Sequence, residues 1–168
     1  MSGPIRSRTR ETAAAESGER LTWYGYGQVT RVEKTGLGVF LHDITRIYGE
    51  ISVISLPALF VIWLYPTTRF VDVTAMALVA WLMMVLTGTL IRGGSVPPLA
   101  TTTLGWVTLT PTLLVLRFGY FNLGLLGASF GGLAVATVAG SAAGLLLAGG
   151  SATALILVFP RVAELWLA

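Results

Sequence analysis

Charge is almost absent from the chain after Glu50, and this absence limits the fold more than any other feature. Of the 19 Asp, Glu, Lys and Arg residues, 13 lie in the first 50 positions and six are spread over the remaining 118. Soluble domains carry about one quarter charged residues, whereas this chain has 11% charged and 54% hydrophobic residues, with no cysteine. The composition predicts an integral membrane protein and excludes a disulfide-rich secreted module, a nucleic-acid-binding domain and a conventional soluble enzyme.

The apolar runs between the few charges have the length of membrane-spanning helices, about 20 residues each. We therefore predict an all-α, polytopic helical membrane protein with five transmembrane helices, or four in the alternative, preceded by an amphipathic juxtamembrane helix. The predicted spans cover about residues 47–65, 70–91, 98–116, 121–148 and 152–167. Pro57 is expected to kink the first span, and Asp72 suits the positive end of the second helix dipole.

The first 50 residues differ in character from the rest. Residues 1–20 lack apolar periodicity and are predicted to be a disordered tail, and residues 21–50 are predicted to form a cytoplasmic or interfacial segment. Within it, helical spacing predicts an amphipathic helix over about 37–50. Its apolar positions are Leu37, Phe40, Leu41, Ile44, Ile47, Tyr48 and Ile51. This helix either lies in the membrane plane or is a solvated extension of the first span that packs on other helices.

The uncharged stretch 118–160 is about twice as long as a single span and must contain a break. Gly140–Ser141 and Gly149–Ser151 are the two candidates, and a span that follows the earlier break would end at Pro160. Small residues at every fourth position would form one continuous helix-packing face if the helix passed Gly140 unbroken, so we favour the later break. The predicted helix-packing residues are Gly124, Ala128, Gly132, Ala136, Gly140, Gly144 and Ala148.

The third predicted span is rich in threonine. Thr101, Thr108 and Thr112 could line a polar permeation path, although threonine hydroxyls in a helix also bond back to carbonyls one turn earlier. Arg117, Tyr120 and Asn122 are interpreted as markers of the following membrane interface. Both interpretations of the threonines stay open at this point.

The arginines and the lysine predict the orientation in the membrane. With five spans, Arg31, Lys34, Arg46 and Arg92 fall on one face, and Arg69, Arg117 and Arg161 on the other. The four-to-three bias is slight, but the long basic N-terminal stretch lacks the apolar core of an export signal. We therefore expect a cytoplasmic N-terminus and, with five spans, a C-terminus on the opposite side.

Few residues could carry chemistry. The chain has one histidine, His42, no cysteine and two acidic residues beyond position 50, so we predict no catalytic residue, no cofactor and no metal site. Arg161 and Glu164 could pair on one helix face or reach the interface separately. Ten arginines against one lysine resemble the coding bias of a GC-rich prokaryotic genome, and we expect a protein of the cell membrane.

Two functional hypotheses remain. The first is a non-enzymatic protein whose helices pack closely within the monomer, against a second copy or against a partner in a membrane complex. Its surroundings are the lipid bilayer, and we expect it to bind no nucleic acid. The Gly127 to Gly131 segment, which has small residues four apart, is also typical of close packing. The alternative is a small channel or carrier for a neutral or weakly polar solute, lined by the Thr-rich third span.

Overall fold

The computed structural model of the chain describes residues 36–66, 72–101 and 111–167. The chain divides into two units, Met1–Lys34 and Thr35–Ala168, and every described residue belongs to the second. The predictions for the N-terminal tail, for the segment up to residue 35 and for Thr108 lie outside the described residues. The helices are α1 (Gly36–Ile54), α2 (Leu56–Leu64), α3 (Val73–Arg92), α4 (Pro111–Ala139) and α5 (Ser141–Leu167).

The all-helical fold is confirmed over these ranges, which contain helices and no strand. Helices α3, α4 and α5 are long and apolar enough to cross a membrane, and α1 with α2 raises the count to four if this bent pair is one span. A membrane protein is therefore plausible on length and composition. The predicted count of five spans is not confirmed.

Helices α1 and α2 meet at Ser55 with a bend of 60°. Pro57 has no N–H and cannot donate to the carbonyl of Val53, so the regular helix cannot continue through this point. α1 runs from Gly36 to Ile54 without interruption and includes the predicted amphipathic segment. On its apolar face Ile47 and Ile51 are fully buried, whereas Leu37 is 70% exposed.

Helices α4 and α5 form an antiparallel hairpin with Gly140 as the single residue between them. Gly140 has φ +89°, a left-handed conformation that glycine adopts without steric cost. The predicted break at Gly149–Ser151 is wrong, because α5 continues through it. Gly149 packs there against Val79 and Met83 of α3, and the Ser151 hydroxyl donates to the carbonyl of Leu147 at 2.7 Å.

A second boundary, between the predicted third and fourth spans, is also absent. α4 begins at Pro111 and passes Arg117, Tyr120 and Asn122 as one helix of 29 residues, so the chain has no break between two helices at these residues. They lie inside α4 because each polar group finds a partner on a neighbouring helix, as described below. Asp72 caps α3, where its Oδ1 accepts from the N–H of Thr74 at 2.9 Å.

Contacts at the two ends set the helix directions. At one end Arg92 of α3 and Arg117 of α4 both contact α1, while at the other end the ring of Tyr65, just after α2, meets Phe130 of α4 with centroids 5.3 Å apart. The α1–α2 pair therefore runs parallel to α4 and antiparallel to α3. Since α5 reverses α4, the start of α1 and the end of α5 lie at the same end of the bundle.

Candidate functional site

An ion pair joins α1 to α4 within the protein. The Arg117 Nη1 lies 2.9 Å from Glu50 Oε1, and the two side chains are 1% and 18% exposed. Leu113 and Phe121, one turn before and after Arg117, are both buried, so this face of α4 points to the neighbouring helices. A guanidinium buried to this extent is tolerated only with a partner that compensates its lost hydration.

A second ion pair joins α1 to α3. Arg92 Nε donates to Asp43 Oδ1 at 3.0 Å, and both side chains are less than one-fifth exposed. Arg92 also acts electrostatically on Arg117, as does Arg46 of α1. The two carboxylates of α1 are thus held by guanidinium groups from two other helices, which attaches α1 to the bundle.

A third, more exposed pair lies near the end of α5. Arg161 Nη1 is 2.9 Å from Glu164 Oε2 with side chains 46% and 30% exposed, and the hydroxyl of Thr101 donates to Glu164 Oε1. Since Leu155 of α5 contacts Gly124 and Tyr120 of α4, the antiparallel register brings Arg161 to the level of Arg117.

These pairs form what we call the charge layer, at the end of the bundle where α1 begins. It contains seven of the eight charged residues that the structure describes, and Asp72 lies at the other end. Its members are Asp43, Arg46, Glu50, Arg92, Arg117, Arg161 and Glu164. The sequence-based grouping of Arg117 and Arg161 on the face opposite Arg46 and Arg92 is therefore wrong, because α4 has no boundary after residue 116.

The bend between α1 and α2 is bridged by a side chain of α4. Asn122 Oδ1 accepts from the N–H of Ala58 at 2.8 Å, and its Nδ2 donates to the carbonyl of Ile54 at 2.8 Å and to that of Phe118 at 2.7 Å. In a regular helix the N–H of Ala58 would donate to Ile54 directly. The amide of Asn122 satisfies both groups and so stabilises the bend.

The predicted helix-packing residues are divided between two facing helices. Gly124, Ala128 and Gly132 are buried on α4, Ala136 is partly buried, Gly140 is exposed in the turn, and Gly144 and Ala148 are buried on α5. A Cβ on Gly132 would lie 2.8 Å from the carbonyl oxygen of Gly144 and 2.9 Å from the Cβ of Ala148. Because the chain reverses between α4 and α5, the residues expected on one face of a single helix lie on two helices that face each other. Their small side chains allow the two backbones to come into contact.

Two of the three threonines of the expected polar lining, Thr101 and Thr112, belong to the described residues. Thr101 contacts Glu164, and Thr112 is exposed in the first turn of α4. The described ranges also contain no group of three His, Cys, Asp or Glu residues that could hold a metal ion. Polar contacts that join helices to each other include Asp43–Arg92, Glu50–Arg117 and those of the Asn122 amide.

Sequence reasoning missed the pairs Asp43–Arg92 and Glu50–Arg117 and the role of Asn122. One signal was available: each is a costly polar residue inside or beside an apolar run, and such residues in spans pair with one another or with backbone carbonyls. Which partner each one takes depends on the order of helices in the bundle, and the broken first span and the α4–α5 hairpin determine that order.

Comparisons with known proteins give one family. Residues 34–166 match the model of a domain of unknown function (DUF8215). No curated protein and no solved structure matches the chain. The matched region begins just before α1 and ends in the last turn of α5, so it includes every described helix.

Proposed function

The chain belongs to the DUF8215 family, and we propose that it is a multi-pass protein of the cell membrane that acts as a non-enzymatic subunit of a membrane assembly. The outer face of α4 carries this proposal. In lipid, helices associate through close backbone approach over small side chains rather than through hydrophobic burial. An outward face that keeps glycines with nothing packed on them is therefore a surface for another helix.

The outer face of α4 is defined by residues at helical spacing opposite its buried side: Leu123, Gly127, Gly131, Ala134 and Val138. Leu123 is 73% and Val138 90% exposed. A Cβ added at Gly127 or Gly131 would meet nothing within 4 Å, whereas one at Gly124, Gly132 or Gly144 would meet a neighbouring helix at once. The spacing of Gly127 and Gly131 is that of the small-xxx-small pairs through which membrane helices pack.

Packing among the described residues does not explain glycine at these two positions. In a helix interior glycine is about 1 kcal/mol less favourable than alanine, and a Cβ added at either position would meet no atom of the described chain within 4 Å. A second helix lying across Gly127 and Gly131 would supply that contact, from a second copy or from another subunit.

The charge layer supports an orientation. Residues 118–139 of α4 carry no charge and at 1.5 Å per residue are about 33 Å long, close to the thickness of the hydrocarbon core. We place the charge layer at one membrane interface and the Gly140 turn near the other. The four arginines of the layer then lie on one side of the membrane, which favours a cytoplasmic charge layer.

The test is the mass of the purified protein in mild detergent. Gly127→Leu and Gly131→Leu should reduce the assembled species to monomer without lowering the unfolding midpoint, because a Cβ at either position meets no described atom within 4 Å. Gly150→Leu is the matched control, since Gly150 is also exposed and open but lies on α5. An assembly that survives both α4 substitutions, or a wild-type chain that is monomeric and carries no partner, contradicts the proposal.

A further inference from the structure

The connection between α3 and α4 is bound to α5 on both sides of Pro160. The backbone N–H of Leu99 donates to the carbonyl of Leu157 at 2.9 Å, and the hydroxyl of Thr101 donates to Glu164 Oε1. Leu157 and Glu164 are seven residues apart, close to two helical turns, so they lie on one face of α5 about 10 Å apart along its axis. Three consecutive residues of the connection thus lie along this face.

Pro160 interrupts the hydrogen bonding of α5. It lies inside the helix but has no N–H, so it cannot donate to the carbonyl one turn earlier, and its ring crowds that carbonyl. Before this point α5 is fixed to α4 by aromatic contacts, since the ring of Phe159 lies 5.1 Å from that of Phe121. After it, Ala163 is the one buried residue of the described range 161–166. The end of α5 is therefore held less firmly than the rest of the helix.

The residue between the two contacts has a strained backbone. Ala100 has φ +59°, a left-handed conformation in which the Cβ of an L-residue crowds its own backbone and which glycine adopts without that cost. Strain of this kind persists only where surrounding contacts hold the residue in place, here those of Leu99 and Thr101. Release of these contacts relieves the strain, so the bound and released conformations are closer in free energy than they would be with glycine at this position.

We propose that Leu99, Ala100 and Thr101 form a latch across a hinge at Pro160. With the latch closed, the end of α5 packs on the bundle, and with the latch released it bends outward at the hinge. This movement displaces the ion pair of α5 relative to the rest of the charge layer. Because the latch belongs to the α3–α4 connection, a displacement of that connection is transmitted to the end of α5. The latch is separate from the outer face of α4 and does not depend on the proposed assembly.

A cysteine placed beyond the hinge reports the release of the latch. The chain has no cysteine of its own, and Ala163 is 2% exposed, so a thiol introduced as Ala163→Cys reacts with a water-soluble maleimide only while the end of α5 is released. When release and closure are fast relative to modification, the modification rate is proportional to the released fraction. Ala152→Cys, before the hinge on the same helix and 0% exposed, reports unfolding of the whole bundle instead.

Two substitutions in the latch should shift this rate in opposite directions. In the Ala163→Cys chain, Thr101→Val removes the bond to Glu164 and should raise the modification rate roughly tenfold, the change in population that loss of a hydrogen bond to a charged group gives. Ala100→Gly removes the strain of the closed latch and should lower the rate about fivefold. Thr137→Val is the matched control, because Thr137 is exposed and its hydroxyl is bonded within α4.

The results that overturn the proposal differ for the latch and the hinge. The latch is overturned by an equal rise at Ala163→Cys and Ala152→Cys, by a Thr101→Val rate no higher than that of the control, or by faster modification with Ala100→Gly. Pro160→Ala restores the missing N–H of α5, so adding it to Thr101→Val should return the rate toward that of the unmodified latch. A rate that stays high shows that α5 opens elsewhere and overturns the hinge.

Discussion

Arg117 of α4 lies 2.9 Å from Glu50 of α1, with the guanidinium 1% exposed. This pair attaches α1 to α4, and without it the start of the first span would be a free extension. The pair lies at the same end of the bundle as the Asp43–Arg92 pair. Arg117 makes this internal contact five residues before Asn122 in the same helix. The order of the helices in the bundle depends on such contacts between α1 and the other helices.

Removing one partner of this pair should be more harmful than removing both. Arg117→Met or Glu50→Gln alone leaves a buried group without its partner and should cost about 3–5 kcal/mol of unfolding free energy. The double variant Arg117→Met with Glu50→Leu should recover a large part of that loss. Arg161→Met is the control, because the Arg161–Glu164 pair is exposed and such pairs contribute about 1 kcal/mol or less. Additive losses in the double variant would show that the two residues do not act as a pair.

Large side chains should lower the stability of the folded chain when they are placed between the helices of the α4–α5 hairpin, but not when they are placed on its outside. Gly132→Leu and Gly144→Leu should each cost about 1–3 kcal/mol or more, since the new side chains must push the backbones apart. Ala142→Leu should have little effect, because Ala142 is exposed and lies off the outer face of α4. The thermal aggregation midpoint in detergent is the measurement. Equal losses at all three positions would mean that the small residues serve some purpose other than close approach.

Asn122 should be needed only while Pro57 bends the first span. Asn122→Leu leaves the N–H of Ala58 and the carbonyl of Ile54 without their partner and should cost about 1–3 kcal/mol. Adding Pro57→Ala restores a donor at residue 57 and allows the helix to close, so it should recover part of the loss. Denaturant unfolding of the two single variants and the double variant tests this coupling. No recovery in the double variant would show that the bend is fixed by other contacts.

The two ends of the chain should lie on the same side of the membrane. The start of α1 and the end of α5 both lie at the charge-layer end of the bundle, which differs from the five-span expectation of opposite sides. Reporter fusions to each terminus should therefore both be active in the cytoplasm. One cytoplasmic and one external terminus would contradict this prediction and indicate an odd number of spans.

Several features could be predicted from the sequence because their causes are local. The scarcity of charge after Glu50 predicts apolar helices, since each residue contributes its own transfer free energy to a span. Asp72 predicts the start of α3, and the missing N–H of Pro57 predicts a disturbed first span. Small residues at every fourth position also indicate close approach of helices, whichever helix lies opposite.

The tertiary structure alone decided where the chain turns and which polar residues pair. The periodic pattern through Gly140 is the same for one long helix and for a hairpin folded at that residue, so local spacing cannot distinguish them. Considered alone, the polar side chains of Arg117 and Asn122 favour hydration, which would place them at the end of a span. They lie inside α4 because Glu50, Ile54 and Ala58, more than 60 residues earlier, replace that hydration, and such compensation depends on contacts that only the folded bundle creates.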